Sequence, residues 1–156
     1  MTEQFYEAPT VEQVSELVAA KFGKAVQLKG SKPRRVYMSA DKGVLFELAT
    51  YIHDVLNFEQ ASSVCAVDYE SHMTVVYHLS NYFNGMMIEL TVDLANDDLT
   101  VASVASIWGG ANWHERETYE LFGIVFEGHP KLERLLTPAD YQFFPFRRSY
   151  KLRRSD

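Results

Sequence analysis

Three stretches in the middle of the chain, Ser62–Tyr69, Thr74–Leu79 and Met86–Leu94, read as β-strands. They are joined by Glu70-Ser71-His72 and Tyr82-Phe83-Asn84-Gly85. A parallel crossover needs a dozen or more residues, so links this short admit only antiparallel neighbours. An antiparallel meander needs a cover for one face, and the flanking segments supply it.

On the N-terminal side, Thr10-Val11-Glu12-Gln13 reads as a capping box. It opens a helix whose apolar stripe is Val11, Val14, Leu17, Val18 and Phe22, with Gly23 as its stop. Two strands, Ala25–Lys29 and Arg34–Ser39, are expected around a turn at Gly30-Ser31-Lys32-Pro33. A second helix follows over Asp41–Leu56, with Val44, Leu45, Leu48, Ile52, Val55 and Leu56 on one side. After the meander come a short helix near Val101–Trp108 and another near Trp113–Gly123. The order α-β-β-α-β-β-β-α-α predicts an α+β two-layer sandwich, a largely antiparallel sheet with helices on one face. Residues 1–123 form that sandwich domain. Residues 124–156 lack a sustained period and carry Pro130, Pro138 and Pro145, but are rich in Phe, Leu and Tyr. This composition predicts an extended segment ordered by lying on a surface. The whole is one domain, as 156 residues allow.

Several function classes are excluded early. One cysteine, Cys65, permits neither an intramolecular disulfide nor an all-cysteine zinc or iron–sulfur site within the chain. The five histidines, at 53, 72, 78, 114 and 129, show no ligand spacing, and there is no glycine-rich phosphate loop. No run approaches the about 20 apolar residues of a membrane span. The acidic start Met1–Glu7 does not resemble a signal peptide, so any membrane link is expected to come through partners. Residues 1–130 carry 8 Lys and Arg against 18 Asp and Glu, whereas residues 131–156 carry 7 against 3. An acidic body with a basic tail is a poor general nucleic-acid binder. It suits a tail that docks on something acidic.

The run from Ile107 to Pro130, with Trp108-Gly109-Gly110-Ala111-Asn112-Trp113-His114-Glu115-Arg116-Glu117-Thr118-Tyr119-Glu120-Leu121-Phe122-Gly123 at its heart, resembles the signature of the complex I C-subunit family, the roughly 30-kDa subunit in mitochondrial naming. The likeness extends to Asp68-Tyr69, Val75-Val76-Tyr77-His78-Leu79 and Ser103-Val104, and downstream to Arg147-Arg148-Ser149-Tyr150. About the first sixty residues carry no recognised pattern. Gly109, Glu133, Ser149 and the segment Tyr141-Gln142-Phe143-Phe144 depart from it. The resemblance implies a cofactor-free subunit of the peripheral arm of an energy-converting dehydrogenase, on the cytoplasmic side of the membrane. It implies docking on the large quinone-site subunit, beside iron–sulfur subunits, with iron–sulfur clusters and flavin in those partners. Donors compatible with it are NADH, reduced deazaflavin and ferredoxin. A membrane-bound hydrogenase subunit is an alternative within the superfamily.

The carboxylates of the signature invite a catalytic reading, which helical geometry opposes. At about 100° per residue, Glu115 and Glu117 lie about 160° apart and cannot flank one substrate. Asn112 is expected as N-cap, with Glu115 closing a capping box and both glutamates in the favourable first turn. Tyr119, Leu121 and Phe122 define the inward arc, and Glu115 falls inside it, so it should be at least partly buried. Arg116, Glu117, Glu120 and Trp113 take the other side. Arg116 is expected to make a bidentate bond to a partner carboxylate or a nearby carbonyl.

Trp108 and Trp113 read as core packing or as interface anchors. His129 belongs to a rigid Gly128-His129-Pro130 loop, and His78 reads as a hydrogen-bonded structural residue in a strand. In the tail, Phe143, Phe144, Phe146 and Tyr150 interleave with Arg147, Arg148, Lys151, Arg153 and Arg154. That mix suits single-stranded nucleic acid or an anionic lipid surface in principle. The acidic body opposes the first, and no amphipathic period supports the second. Wrapping an acidic partner protein is the expected role.

Overall fold

The computed structural model describes residues 8–152. The tail arginines at 153 and 154 and the acidic start at 1–7 lie outside them. α1 (Val11–Phe22) begins at Thr10, whose hydroxyl accepts from the Gln13 amide while the Gln13 side chain accepts from the Thr10 amide, so the capping box is complete. A hairpin of β1 (Val26–Lys32) and β2 (Arg35–Ala40) follows, then a single 3-10 turn at Lys42–Val44 and α2 (Leu45–Asp54). The meander is β3 (Gln60–Asp68), β4 (His72–Ser80) and β5 (Met87–Ala95). β6 (Thr100–Ala102), α3 (Ala111–Phe122) and β7 (Val125–Glu127) complete the order.

The main sheet runs β1-β2-β5-β4-β3. The pairs β3–β4, β4–β5 and β1–β2 are antiparallel, and β2–β5 is parallel, because α2, β3 and β4 intervene between those two strands. The result is an α+β fold with a mixed, mostly antiparallel five-stranded sheet and three helices. Alternate residues form the buried face: Val36 and Met38 on β2, Met73, Val75, Tyr77 and Leu79 on β4, Ile88, Leu90, Val92 and Leu94 on β5. Val14 and Val18 of α1 and Leu45, Leu48 and Ile52 of α2 join the same core. α3 lies against β3, the edge strand, where the Thr118 hydroxyl is 3.1 Å from the Val64 carbonyl.

Three expectations differ from the structure. The β1–β2 turn is Pro33-Arg34, not Gly30–Pro33. A bulge at Lys29, between Leu28 and Gly30, instead lets β1 continue to Lys32, which pairs directly with Arg35. Val101–Trp108 is not a helix. It is the end of β6 and a turn, because the amides of Ser103 and Val104 bond to the Glu127 carbonyl and the Glu115 carboxylate rather than to each other's turn. The stretch beyond Gly123 is not wholly irregular, since β7 pairs in parallel with β6.

Candidate functional site

α3 is the element on which the rest of the site is built. It starts at Ala111 behind Gly110, with no side-chain cap, so Asn112 is not the N-cap and Glu115 lies beyond the first turn. The expected Asn112–Glu115 capping box is therefore absent. Glu115 points into the body and is fully buried. The Ser103 hydroxyl donates to one oxygen at 2.5 Å and the Val104 amide to the other at 2.7 Å. Burial raises its pKa to about 7, against the opposing effect of those two bonds. Tyr77 lies close enough for the Glu115 charge to add to the burial that raises the phenol well above its ordinary value. Among the described residues, its hydroxyl is the one deeply buried side-chain polar atom without a hydrogen-bond partner.

Glu120 was expected on the polar side, with Arg116, Glu117 and Trp113. It is fully buried instead, under the C-terminal segment. Its carboxylate accepts from the amides of Leu135 (3.0 Å), Leu136 (2.8 Å) and Thr137 (3.1 Å) and from the Thr137 hydroxyl (3.0 Å). Three successive amides around one carboxylate form a backbone anion nest. Burial acts to raise the Glu120 pKa, but the Leu136, Thr137 and Leu135 amides and the Thr137 hydroxyl outweigh it and hold the group below its ordinary value. They also offset its unfavourable place at the negative end of the helix dipole.

The same segment caps the end of α3, whose last carbonyls have no partner within the helix. An Arg134 guanidinium nitrogen is 3.4 Å from the Glu120 carbonyl, the Phe146 amide donates to Leu121 at 3.0 Å, and Arg147 Nε donates to Phe122 at 2.6 Å. Gly123 ends the helix in the left-handed conformation, with φ 79°. A Cβ there would sit 2.9 Å from the Phe144 ring and against the Arg147 guanidinium, so glycine serves both the turn and the close approach of the tail. Arg147 stacks on Phe144 at 4.5 Å, and the Arg148 amide donates to Asp68 at 2.9 Å across the β3–β4 turn. The amides of Arg148 and Glu70 hold the Asp68 carboxyl below its usual range.

The family model "Respiratory-chain NADH dehydrogenase, 30 Kd subunit" matches residues 38–156, three quarters of the chain and all of the site just described. The chain belongs to this family. The C subunit of the F(420)H(2) dehydrogenase of Methanosarcina mazei is 35% identical over 142 residues, covering 88% of this chain and 90% of that protein. The C subunit of the NADH-quinone oxidoreductase of Roseiflexus sp. (strain RS-1) is 38% identical over 122 residues, covering 75% and 69%. Among solved structures, a trypsin-resistant fragment of Nqo5 superposes with a TM-score of 0.66 at 27% identity, covering 78% of this chain and 98% of the fragment. A chain of the archaeal membrane-bound sulfane sulfur reductase shares the fold, with a TM-score of 0.80 at 22% identity over 90% of this chain and 85% of its own. Membership of the 30-kDa family makes this a subunit of a multi-subunit complex of the complex I type, and its partners are other subunits. No helix among the described residues is long and apolar enough to cross a membrane.

In this 30-kDa-family chain the remaining signature residues divide between inside and outside. Trp108 is core, with its indole N–H donating to the Phe58 carbonyl at 2.8 Å. Trp113 is 57% exposed and carries the Arg116 guanidinium over its ring. Arg116 donates to the Glu133 carbonyl at 3.0 Å and lies 3.4 Å from that of Arg134, the nearby-carbonyl arrangement of the two expected for it. Glu117 is exposed, Phe122 is buried and Tyr119 is half-buried. Both ring nitrogens of His129 are engaged: Nδ1 accepts from the Lys131 amide, and Nε2 donates to the Asn112 carbonyl. His78 bonds to Ser63 at 2.7 Å, as expected of a structural histidine. Burial, then Glu89 and Glu117, pushes the Cys65 thiol up, away from a nucleophilic thiolate.

The tail exposes Phe143 and Phe146 and half-buries Phe144 and Tyr150. The Tyr150 hydroxyl is 3.1 Å from that of Tyr141. Sequence reasoning missed Glu120, Arg134, Ser103 and Thr137 as the fixing groups. Ser103-Val104 and Asp68 lay within the family pattern, which was the one available signal for them. Nothing in the spacing marked the amides of 135–137.

Proposed function

We propose that this chain is a binding and assembly subunit of the peripheral arm of a respiratory dehydrogenase, on the cytoplasmic side of the membrane. It docks on the large quinone-site subunit and its iron–sulfur neighbours. Flavin and iron–sulfur clusters belong to those partners, and this chain holds none. Partner subunits also select the electron donor. The observation that supports this reading is how α3 spends its two buried carboxylates. Glu115 and Glu120 are committed to donors of the same chain, and Glu120 thereby fixes a tail that turns Phe143 and Phe146 outward. Exposed aromatics beside Arg148 are residue types enriched at interfaces.

The test is assembly. Phe143→Ser removes exposed apolar surface whose ring contacts, with Tyr141 and Tyr150, lie within the tail itself. The expected result is loss of the large subunit from complexes purified through this chain, with its thermal unfolding unchanged. Full retention of the large subunit would reject the tail as the docking surface.

A further inference from the structure

One corner of the sheet carries a second basic and aromatic surface. The β4–β5 loop presents Tyr82, 81% exposed, and Phe83, 67% exposed, with the rings in an edge contact at 5.9 Å. The loop is held rather than loose. Asn81 is buried, its side-chain oxygen accepts from the amides of Phe83 (2.9 Å) and Asn84 (3.2 Å), and its side-chain nitrogen donates to the Asn57 carbonyl (3.0 Å). Asn84 accepts from the Met86 amide at 2.9 Å and donates to the Pro9 carbonyl at 3.0 Å. The Tyr82 amide donates to Glu59 at 2.5 Å. A fixed backbone under two solvent-facing rings lowers the ordering cost of binding.

The β1–β2 turn stands beside this loop. The Met87 amide donates to the Arg34 carbonyl at 2.9 Å, and a Cβ on Gly85 would lie 4.0 Å from the Arg34 guanidinium. Lys32, Arg34 and Arg35 are exposed, and among the described residues none of them pairs with a carboxylate. They are three of only eight cations in the first 130 residues, gathered at one point of an acidic body. The turn also precedes residue 38, where the family match begins. The tail contacts Asp68 and Glu70 at the opposite ends of β3 and β4, strands of nine residues or about 27 Å. The two surfaces are therefore distinct.

We infer that the corner formed by Lys32, Arg34, Arg35, Tyr82 and Phe83 is a second docking surface, for an acidic segment of a partner subunit that seats an apolar side chain against the two rings. Lys32 lies over the Tyr37 ring at 5.9 Å, and opposed carboxylates are what three cations without a carboxylate partner require once water is removed. An anionic lipid surface fits less well, since recognition there takes clusters of four or more cations or an amphipathic helix. The inference rests on the subunit reading above and deepens it.

The test places the photo-reactive residue p-benzoylphenylalanine at Phe83, and separately at Phe143, in the intact complex. Irradiation and peptide mapping follow. The expected product from position 83 is a cross-link into an Asp- or Glu-bearing segment of another subunit. The triple substitution Lys32→Gln, Arg34→Asn, Arg35→Gln, or added salt, lowers its yield on the order of tenfold. Cross-links from 83 only to this chain, to lipid or to nothing, or a yield indifferent to both charge and salt, overturn the inference. If 143 reports a partner and 83 does not, the second surface alone is rejected. If neither reports one, the docking reading falls with it.

Discussion

The two sides of α3 bury a carboxylate each and treat it in opposite ways. Toward the body, Glu115 meets two donors in an apolar surround, and burial dominates, lifting its pKa to about 7. Toward the tail, Glu120 meets three amides and a hydroxyl, and the donors dominate, holding its pKa down. Neither side chain touches solvent, yet the charge behaviour is opposite: Glu115 lies deeper in the body and meets fewer donors, and Glu120 lies nearer the surface and meets more. The body side is a packed core that needs little from this carboxylate's charge. The tail side has no regular ladder of its own beyond β7, and the charge of Glu120 organises it.

The largest way to break that contrast is Glu120→Ala. It leaves the amides of 135–137 without an acceptor, at a cost on the order of 3 kcal/mol, limited by the free energy of releasing the tail locally. Hydrogen exchange is expected to accelerate at 135–137 and 146–148 while the β4 and β5 amides stay protected. Equal acceleration in both regions would mean that the tail and the body unfold as one unit.

Gly123→Ala comes next, at about 2 kcal/mol, because it strains a left-handed position and drives a Cβ into Phe144 and Arg147. Chemical denaturation measures it. Pairing it with Phe144→Ala should recover part of the loss by opening the space, whereas additive losses would assign it to backbone strain and the Arg147 contact.

A sharper contrast lies in pH. Glu115 binds its proton more tightly folded than unfolded, so its contribution to stability is full below the ordinary value of 4.5 and is lost as pH rises to about 7. Glu120 has the opposite sign: its contribution is full above the ordinary value and is lost as pH falls through its lowered folded pKa. Glu115→Gln should therefore flatten the decline between pH 4.5 and about 7, and Glu120→Gln should flatten the acid limb below it. Denaturation midpoints across pH would show this, and parallel shifts in both variants would contradict it. The smallest effect is expected from Arg116→Lys, which gives up the paired approach to two carbonyls of the same chain for under about 1 kcal/mol and leaves co-purified subunits unaltered.

The same contrast explains what could be read in the sequence. Local signals carried α1, through the Thr10–Gln13 box, and the meander, through its short links. The inward arc of α3 correctly enclosed Glu115. Non-local partners left no such trace. Val101, Val104 and Trp108 are spaced like a helical stripe, yet β6 pairs with β7 more than twenty residues later, and three-residue strands are too short to show a period. The parallel β2–β5 pair depends on the return of a whole meander. Glu120 sat on the polar side of a helical wheel because a wheel records only the helix, and its partners are backbone amides of a loop, which any residues supply.

The most direct test of a chain that acts through surfaces is to separate assembly from turnover. Complexes carrying Glu115→Gln or Glu120→Gln would be purified and quantified, and their electron-transfer rate measured per assembled complex. The expected result is fewer complexes at an unchanged rate each. Normal amounts of complex with a rate reduced more than about tenfold, a barrier change of about 1.4 kcal/mol, would place chemistry in this chain and contradict the account.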